Sequence, residues 1–278
     1  MSTGAYIFDG PYGREAEQTR LERQAALFDP VTERVFQAAG IAPGMRVLDL
    51  GAGAGDVSML AARIVGPAGH VVGIERNPDA IRSAQERMRR AGIGNVSFVE
   101  GDVATFEFED TFDAVVGRLI LMYVPDPAVA LGHAARLLRP GGIVCVHEIN
   151  GAELAAPDTP LFAEVSRLIC TAFERTGAAI HMADRLHSVF RAAGLAAPEL
   201  RYERVAGGPE QRLTEYIRDL LILLAPVIAS LTPVIERERL ATAEQLELKT
   251  LVARLDAELE RTGGIVTLWP MIGAWCTV

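Results

Sequence analysis

The chain has 278 residues, half of them hydrophobic, and a formal net charge of −9. Such a chain buries a sizeable core, which excludes disorder, and its acidic balance excludes the clustered cations that duplex DNA or RNA reward: the longest basic run is Arg89-Arg90. Cys145, Cys170 and Cys276 stand far apart without a CxxC pair, which points to a reduced, cytoplasmic protein with no zinc site.

The first residues, MSTGAYIFDGPYGR, carry neither the basic nor the apolar segment of a signal peptide. Residues 13 to 29 follow a helical pattern, with Leu21, Ala25 and Phe28 on one face and Glu17, Arg20 and Gln24 on another. Taken alone, that polar stripe is a solvated face. A second helix is predicted from Pro30 to Ala39, closed by Gly40.

The stretch Arg46 to Gly55, RVLDLGAGAG, is the most informative in the chain. Val47, Leu48 and Leu50 read as a buried parallel strand. Gly51, Gly53 and Gly55 then let the backbone turn sharply and approach a ligand, and a helix begins at once. A dinucleotide fingerprint needs its third glycine five residues after the first, where this chain has Asp56. An acid there would repel a pyrophosphate, so a nicotinamide oxidoreductase is disfavoured.

His70 to Ile74 reads as the second strand and ends in Glu75, Arg76 and Asn77. An acid at that tip suits a bidentate bond to ribose hydroxyls, although Glu75 could instead cap the helix that starts near Pro78. In that helix Arg82, Glu86, Arg87, Arg89 and Arg90 read as a solvated face. Val96 to Val99 is the third strand. Asp102 and the backbone N–H of Val103 follow it, and together they would suit an adenine edge. Phe112 to Val116 is the fourth strand, leading into Gly117, Arg118 and Leu119. A helix to Leu138 and the turn Arg139-Pro140-Gly141-Gly142 deliver the fifth, Ile143 to Ile149. Strands alternating with helices predict a mostly parallel sheet.

RVLDLGAGAG, VVGIERN, VEGDV, FDAVVGRLILMYVPDP and LLRPGG, in that order, closely resemble the class I S-adenosylmethionine-dependent methyltransferases, nearest the ubiquinone/menaquinone-biosynthesis type and related small-molecule enzymes. The likeness covers roughly residues 41 to 150. It implies an α/β, Rossmann-like, doubly wound sheet of seven mostly parallel strands whose last is antiparallel. It also implies a helical insertion between strands six and seven and a helical N-terminal lid. By position, Gly51, Ala52 and Gly53 would lie along the methionine moiety of the cofactor. Glu75, with Arg76 beside it, would hold the ribose, and Asp102 with Val103 the adenine. The resemblance also gives the N-terminal stripe a second role, in which Arg118 and Arg20, with Gln24 and Tyr6 nearby, are candidates to hold the methionine carboxylate.

Three regions follow: a lid at 1–40, a cofactor-binding core at 41–150, and the rest of the sheet with a helical substrate cap, about 209–262, within 151–278. Helices are expected from Pro160 to Thr176 and Ala183 to Ala193, a strand near Leu200 to Val205, and a last strand from Ile265 to Trp269. The apolar run Leu220 to Ile235 is broken by Pro226 and Pro233 and is short for a membrane span. Packing against neighbours, or against a second copy in a homodimer, accounts for it plainly; a lid over an apolar substrate is the functional alternative. The longer stretch Leu213 to Ile235, with Trp269, Met271 and Trp275, would converge on an apolar pocket at the sheet's C-terminal edge. His147 and Glu148 end strand five and are the candidate general bases, of which alternation along a strand lets only one face the site. The reading is methyl transfer to a small, partly apolar organic acceptor, oxygen favoured over nitrogen or carbon as the methylated atom. The alternatives are a non-methylating step with the same cofactor, such as cyclisation or decarboxylation, and a non-catalytic partner subunit.

Overall fold

The computed structural model describes residues 14–151, 159–207, 215, 217 and 248–278. Its helices are α1 (Arg14–Ala39), α2 (Asp56–Val65), α3 (Pro78–Ala91), α4 (Pro127–Ala135), α5 (Pro160–Arg175), α6 (Met182–Ala192) and α7 (Leu248–Thr262). The strands are β1 (Arg46–Leu50), β2 (His70–Glu75), β3 (Val96–Glu100), β4 (Phe112–Arg118), β5 (Leu138–Ile149), β6 (Glu199–Glu203), β7 (Ala206–Gly207), β8 (Val266–Thr267) and β9 (Met271–Thr277). Among the described residues no helix is long and apolar enough to cross a membrane.

Seven strands form one sheet in the order β3-β2-β1-β4-β5-β9-β6. The first five pair in parallel, and β9 runs antiparallel between β5 and β6. This is the Rossmann-like α/β sheet with an antiparallel last strand that the sequence motifs imply. The chain divides into two compact units. One holds the whole sheet, drawn from Phe28–Ile149, Met182–Glu203 and Met271–Val278; the other takes the described residues up to Leu27 with Asn150–His181 and Arg204–Pro270.

Local chemistry explains the element ends. Pro78 opens α3 behind Asn77, whose Oδ1 accepts from the N–H groups of Asp79 and Ala80, and Gly92 closes it at φ +68°. Asp126 caps α4 in the same way through the Val129 N–H, again ahead of a proline. On one face of the sheet Val35, Phe36, Val47, Leu60, Val116 and Trp275 belong to a single buried apolar cluster.

Three expectations are corrected. The two N-terminal helices are one, α1, with Pro30 inside it. Proline removes a single hydrogen bond there, while Phe28, Thr32, Val35 and Phe36 on either side of Pro30's turn are at most 1% exposed, and their burial carries the helix through. The last sheet strand is Met271–Thr277, not Ile265–Trp269: among the described residues Val266–Thr267 pairs with Ala206–Gly207 in a separate two-stranded sheet. Pro270 has no N–H to give a central ladder, so pairing with β5 starts after it. Trp275 consequently sits opposite Cys145 in the apolar cluster. The turn at 139–142 is a bulge in β5, because Phe112 pairs with Leu138 but Ala114 with Ile143. The insertion between β6 and β9 includes α7; the run Leu213 to Ile235, apart from residues 215 and 217, lies outside the described residues.

Candidate active site

β1 ends at Leu50, and Gly51, Gly53 and Gly55 take φ values of +64°, +54° and +86°, which side chains rarely adopt. Their surroundings differ. A Cβ on Gly51 would lie 2.2 Å from Ile120 Cδ1, whereas one on Gly53 would meet nothing within 4 Å. Gly51 is a packing glycine, and Gly53 presents open backbone. Ala52 is buried, and its N–H donates to Ile74 O, tying the loop to the adjacent strand.

Glu75 stands at the tip of β2. Its Oε2 accepts from the Gly53 N–H at 2.9 Å and its Oε1 from the Asn77 N–H at 2.9 Å. The cap of α3 is Asn77, so Glu75 is left to the loop. On the next strand tip Asp102 is exposed, its Oδ1 accepting from the Ala104 N–H, with Val103 half-buried beside it. Glu75 lies beside Glu100 in register, which brings these two tips together. Arg76 is exposed and Gln24 half-buried on α1. Tyr6 and the side chain of Arg20 lie outside the described residues.

Two features of the loop escaped the sequence reading. Arg87 is not part of a solvated face: only 8% exposed, it donates to Ala54 O and to Asp56 Oδ1, each at 2.6 Å. Asp56 begins α2 as the neutralised half of a buried ion pair. Asp49, in the middle of β1, is 1% exposed and accepts from Ser58 Oγ at 2.6 Å, while its Oδ1 has no partner among the described residues. Burial pushes its carboxyl up to about 7, against the opposing pull of the Ser58 hydroxyl and the Arg118 charge. The acid sits two residues before Gly51, a spacing visible in the sequence but read there only as strand.

At the tips of β4 and β5 the candidates meet partners within the protein. Arg118, expected to hold a ligand carboxylate, donates through NH1 to Asp29 Oδ1 at 3.0 Å and to Thr32 Oγ1 at 3.1 Å. Its side chain is 2% exposed. Thr32 gives its one hydroxyl proton to Phe28 O, so the His147 Nδ1, 3.0 Å away, is assigned as the N–H donor to Thr32. That leaves His147 Nε2 as a buried lone-pair nitrogen without a partner among the described residues. Burial above all, with the Arg118 charge adding to it, pushes this imidazole down to about 3, so it is neutral. Glu148 is equally buried and accepts at Oε1 from the N–H groups of Ile120 and Leu121; burial pushes its carboxyl up to about 7. Among the described residues no group of His, Cys, Asp and Glu could hold a metal ion.

The family described as a methyltransferase domain matches residues 41–194. The chain is 32% identical over 182 residues to an arsenite methyltransferase of Halobacterium salinarum, covering 65% of this chain and 43% of that protein. It is 37% identical over 132 residues to the ubiquinone/menaquinone biosynthesis C-methyltransferase UbiE of Ectopseudomonas mendocina, covering 47% and 50%. The chain thus spans about half the length of the curated relatives it matches. A SAM-dependent methyltransferase from Aquifex aeolicus shares the fold with a TM-score of 0.51 at 20% identity, over 69% of this chain and 91% of that one. With the family match covering more than half of its residues, the chain belongs to the methyltransferase-domain family, in its class I S-adenosylmethionine-dependent group.

Proposed function

We propose that this chain transfers the methyl group of S-adenosylmethionine to a small, partly apolar organic acceptor. The observation that carries the reading is the Glu75 carboxylate bonded to the Gly53 N–H at the mouth of the sheet, where a Cβ added to Gly53 would meet no atom of the described residues within 4 Å. The residues fit the cofactor. Glu75 and Asp102 offer carboxylate oxygens to sugar hydroxyls and an exocyclic amine, and the unpartnered Asp49 Oδ1 suits a cationic group. Bound there, the cofactor supplies a methyl group already activated as a sulfonium. The work left to this chain is to hold the partners in line and exclude water. A dedicated base is not required by this reading, and the buried, neutral His147 is better suited to holding Thr32 than to taking a proton from an acceptor.

An organic acceptor is favoured over arsenite by the cysteines. A soft acceptor of that kind wants thiolates. Here Cys145, Cys170 and Cys276 are all buried, and burial raises all three thiols, Cys170 to about 12. The test is to incubate the purified protein with methyl-labelled S-adenosylmethionine and a metabolite extract freed of macromolecules. Label is expected in a small organic product. No labelled organic product from that extract, with label passed instead to separately supplied arsenite, RNA or protein, would overturn the proposal.

A further inference from the structure

The loop that follows β4 is held in an unfavourable backbone shape. Leu119 has φ +54°, a left-handed value for a residue with a branched side chain, and such conformations persist only where the surroundings impose them. The imposing contacts come from β5. The Leu119 N–H donates to His147 O, and the N–H groups of Ile120 and Leu121 both converge on Glu148 Oε1, at 3.0 and 2.8 Å. Glu148 thereby caps the single turn Leu121–Tyr123 from below. Between these bonds the Ile120 side chain is wedged against two glycines. A Cβ would lie 2.2 Å from it at Gly51 and 2.9 Å from it at Gly117.

The geometry points to Glu148 as a positioning residue of the cofactor site, a role distinct from that of a base. Its carboxylate fixes Ile120 and Leu121, next to the Leu119 N–H held by His147 O, and that segment keeps Ile120 seated on Gly51, the first glycine of the cofactor loop. Both carboxylate oxygens are out of solvent: Oε1 is shared by the two N–H donors and Oε2 has no partner among the described residues, so the contacts Glu148 makes run to the Ile120–Leu121 backbone and through it to Ile120 on Gly51. This inference rests on reading the glycine loop as the S-adenosylmethionine site.

S-adenosylhomocysteine is titrated calorimetrically into the parent, Glu148→Gln, Glu148→Ala and Ile120→Ala, and amide hydrogen exchange is followed at Ile120 and Leu121 without ligand. Glu148→Ala is expected to weaken binding about tenfold or more, as when a charged acceptor of buried N–H groups is removed. Ile120→Ala shifts it the same way. Glu148→Gln keeps an oxygen for the same two donors and stays close to the parent. Exchange at Ile120 and Leu121 quickens in Glu148→Ala and not in Glu148→Gln. Binding by Glu148→Ala equal to the parent's, a glutamine variant as weak as the alanine one, or faster exchange spread evenly over the sheet would each overturn the assignment. A parent that does not bind S-adenosylhomocysteine would overturn the cofactor reading instead, and the exchange at Ile120 and Leu121 would still decide whether Glu148 holds the loop.

Discussion

The guanidinium of Arg87 lies 2.6 Å from the Asp56 carboxylate, and each side chain is only 9% exposed. The pair joins the end of α3 to the first turn of α2, directly behind the glycine loop. Removing one partner leaves a buried charge without compensation, which typically costs about 3–5 kcal/mol. Arg87→Ala should therefore lower the urea midpoint sharply. Arg87→Met combined with Asp56→Ala, which removes both charges, should recover much of the loss. A change below about 1 kcal/mol in Arg87→Ala would place the pair among surface ion pairs in energetic terms.

Cofactor choice follows from the same loop. Calorimetry should show saturable binding of S-adenosylmethionine and its demethylated product and none of NAD(P). Glu75→Ala should weaken that binding by about 1–3 kcal/mol, because it removes both a ligand acceptor and the partner of the Gly53 N–H. Parent-like affinity in both Glu75→Ala and Asp102→Ala would sink the residue assignment while leaving the fold untouched.

Two buried groups should give the stability opposite slopes with pH. His147 is pushed from 6.5 down to about 3, so the unfolded chain takes up its proton first. The stability it contributes is present above pH 6.5 and is lost as pH falls towards 3. Asp49 is raised from 3.8 to about 7, so its contribution is present below 3.8 and is lost as pH rises through 7. Urea midpoints measured across this range should fall less steeply towards acid in His147→Gln, and less steeply from pH 4 to 7 in Asp49→Asn. Parallel profiles for parent and variants would show that neither group is held in this state.

Gly273 of β9 faces Val35 of α1 so closely that a Cβ would lie 2.4 Å from Val35 Cγ1. Gly273→Ala should destabilise the sheet unit by about 1–3 kcal/mol, the range for overpacking a filled core. Adding Val35→Ala should restore part of it, and a double-mutant cycle in thermal unfolding measures the coupling. Strict additivity would mean that α1 moves aside freely.

The parallel half of the sheet was legible because its strands contain short apolar runs, β1 to β3 end at a glycine or an acid, and α3 and α4 carry their own side-chain caps. What was not legible depended on distant partners. Arg87 looks solvated in a list of arginines, and only the fold supplies Asp56, 31 residues away. Thr32 carries no local signal at all, yet it joins Arg118 and His147, 86 and 115 positions further on. Pro30 and Pro270 are equally visible in the sequence but act differently. One is overridden by the burial of α1, and the other delays the last strand by several residues.

The thiols have a practical consequence. Only a thiolate attacks an alkylating agent, and burial holds Cys145, Cys170 and Cys276 in the unreactive form. In the native protein all three should be silent to alkylation, and each should become reactive when its own surroundings open. Cys145 lies in β5, flanked by β4 and β9, so its modification reports rupture of the sheet itself, while Cys170 reports on α5. Iodoacetamide with mass spectrometry can therefore time the opening of the two units separately, on the unmodified chain, without an introduced probe.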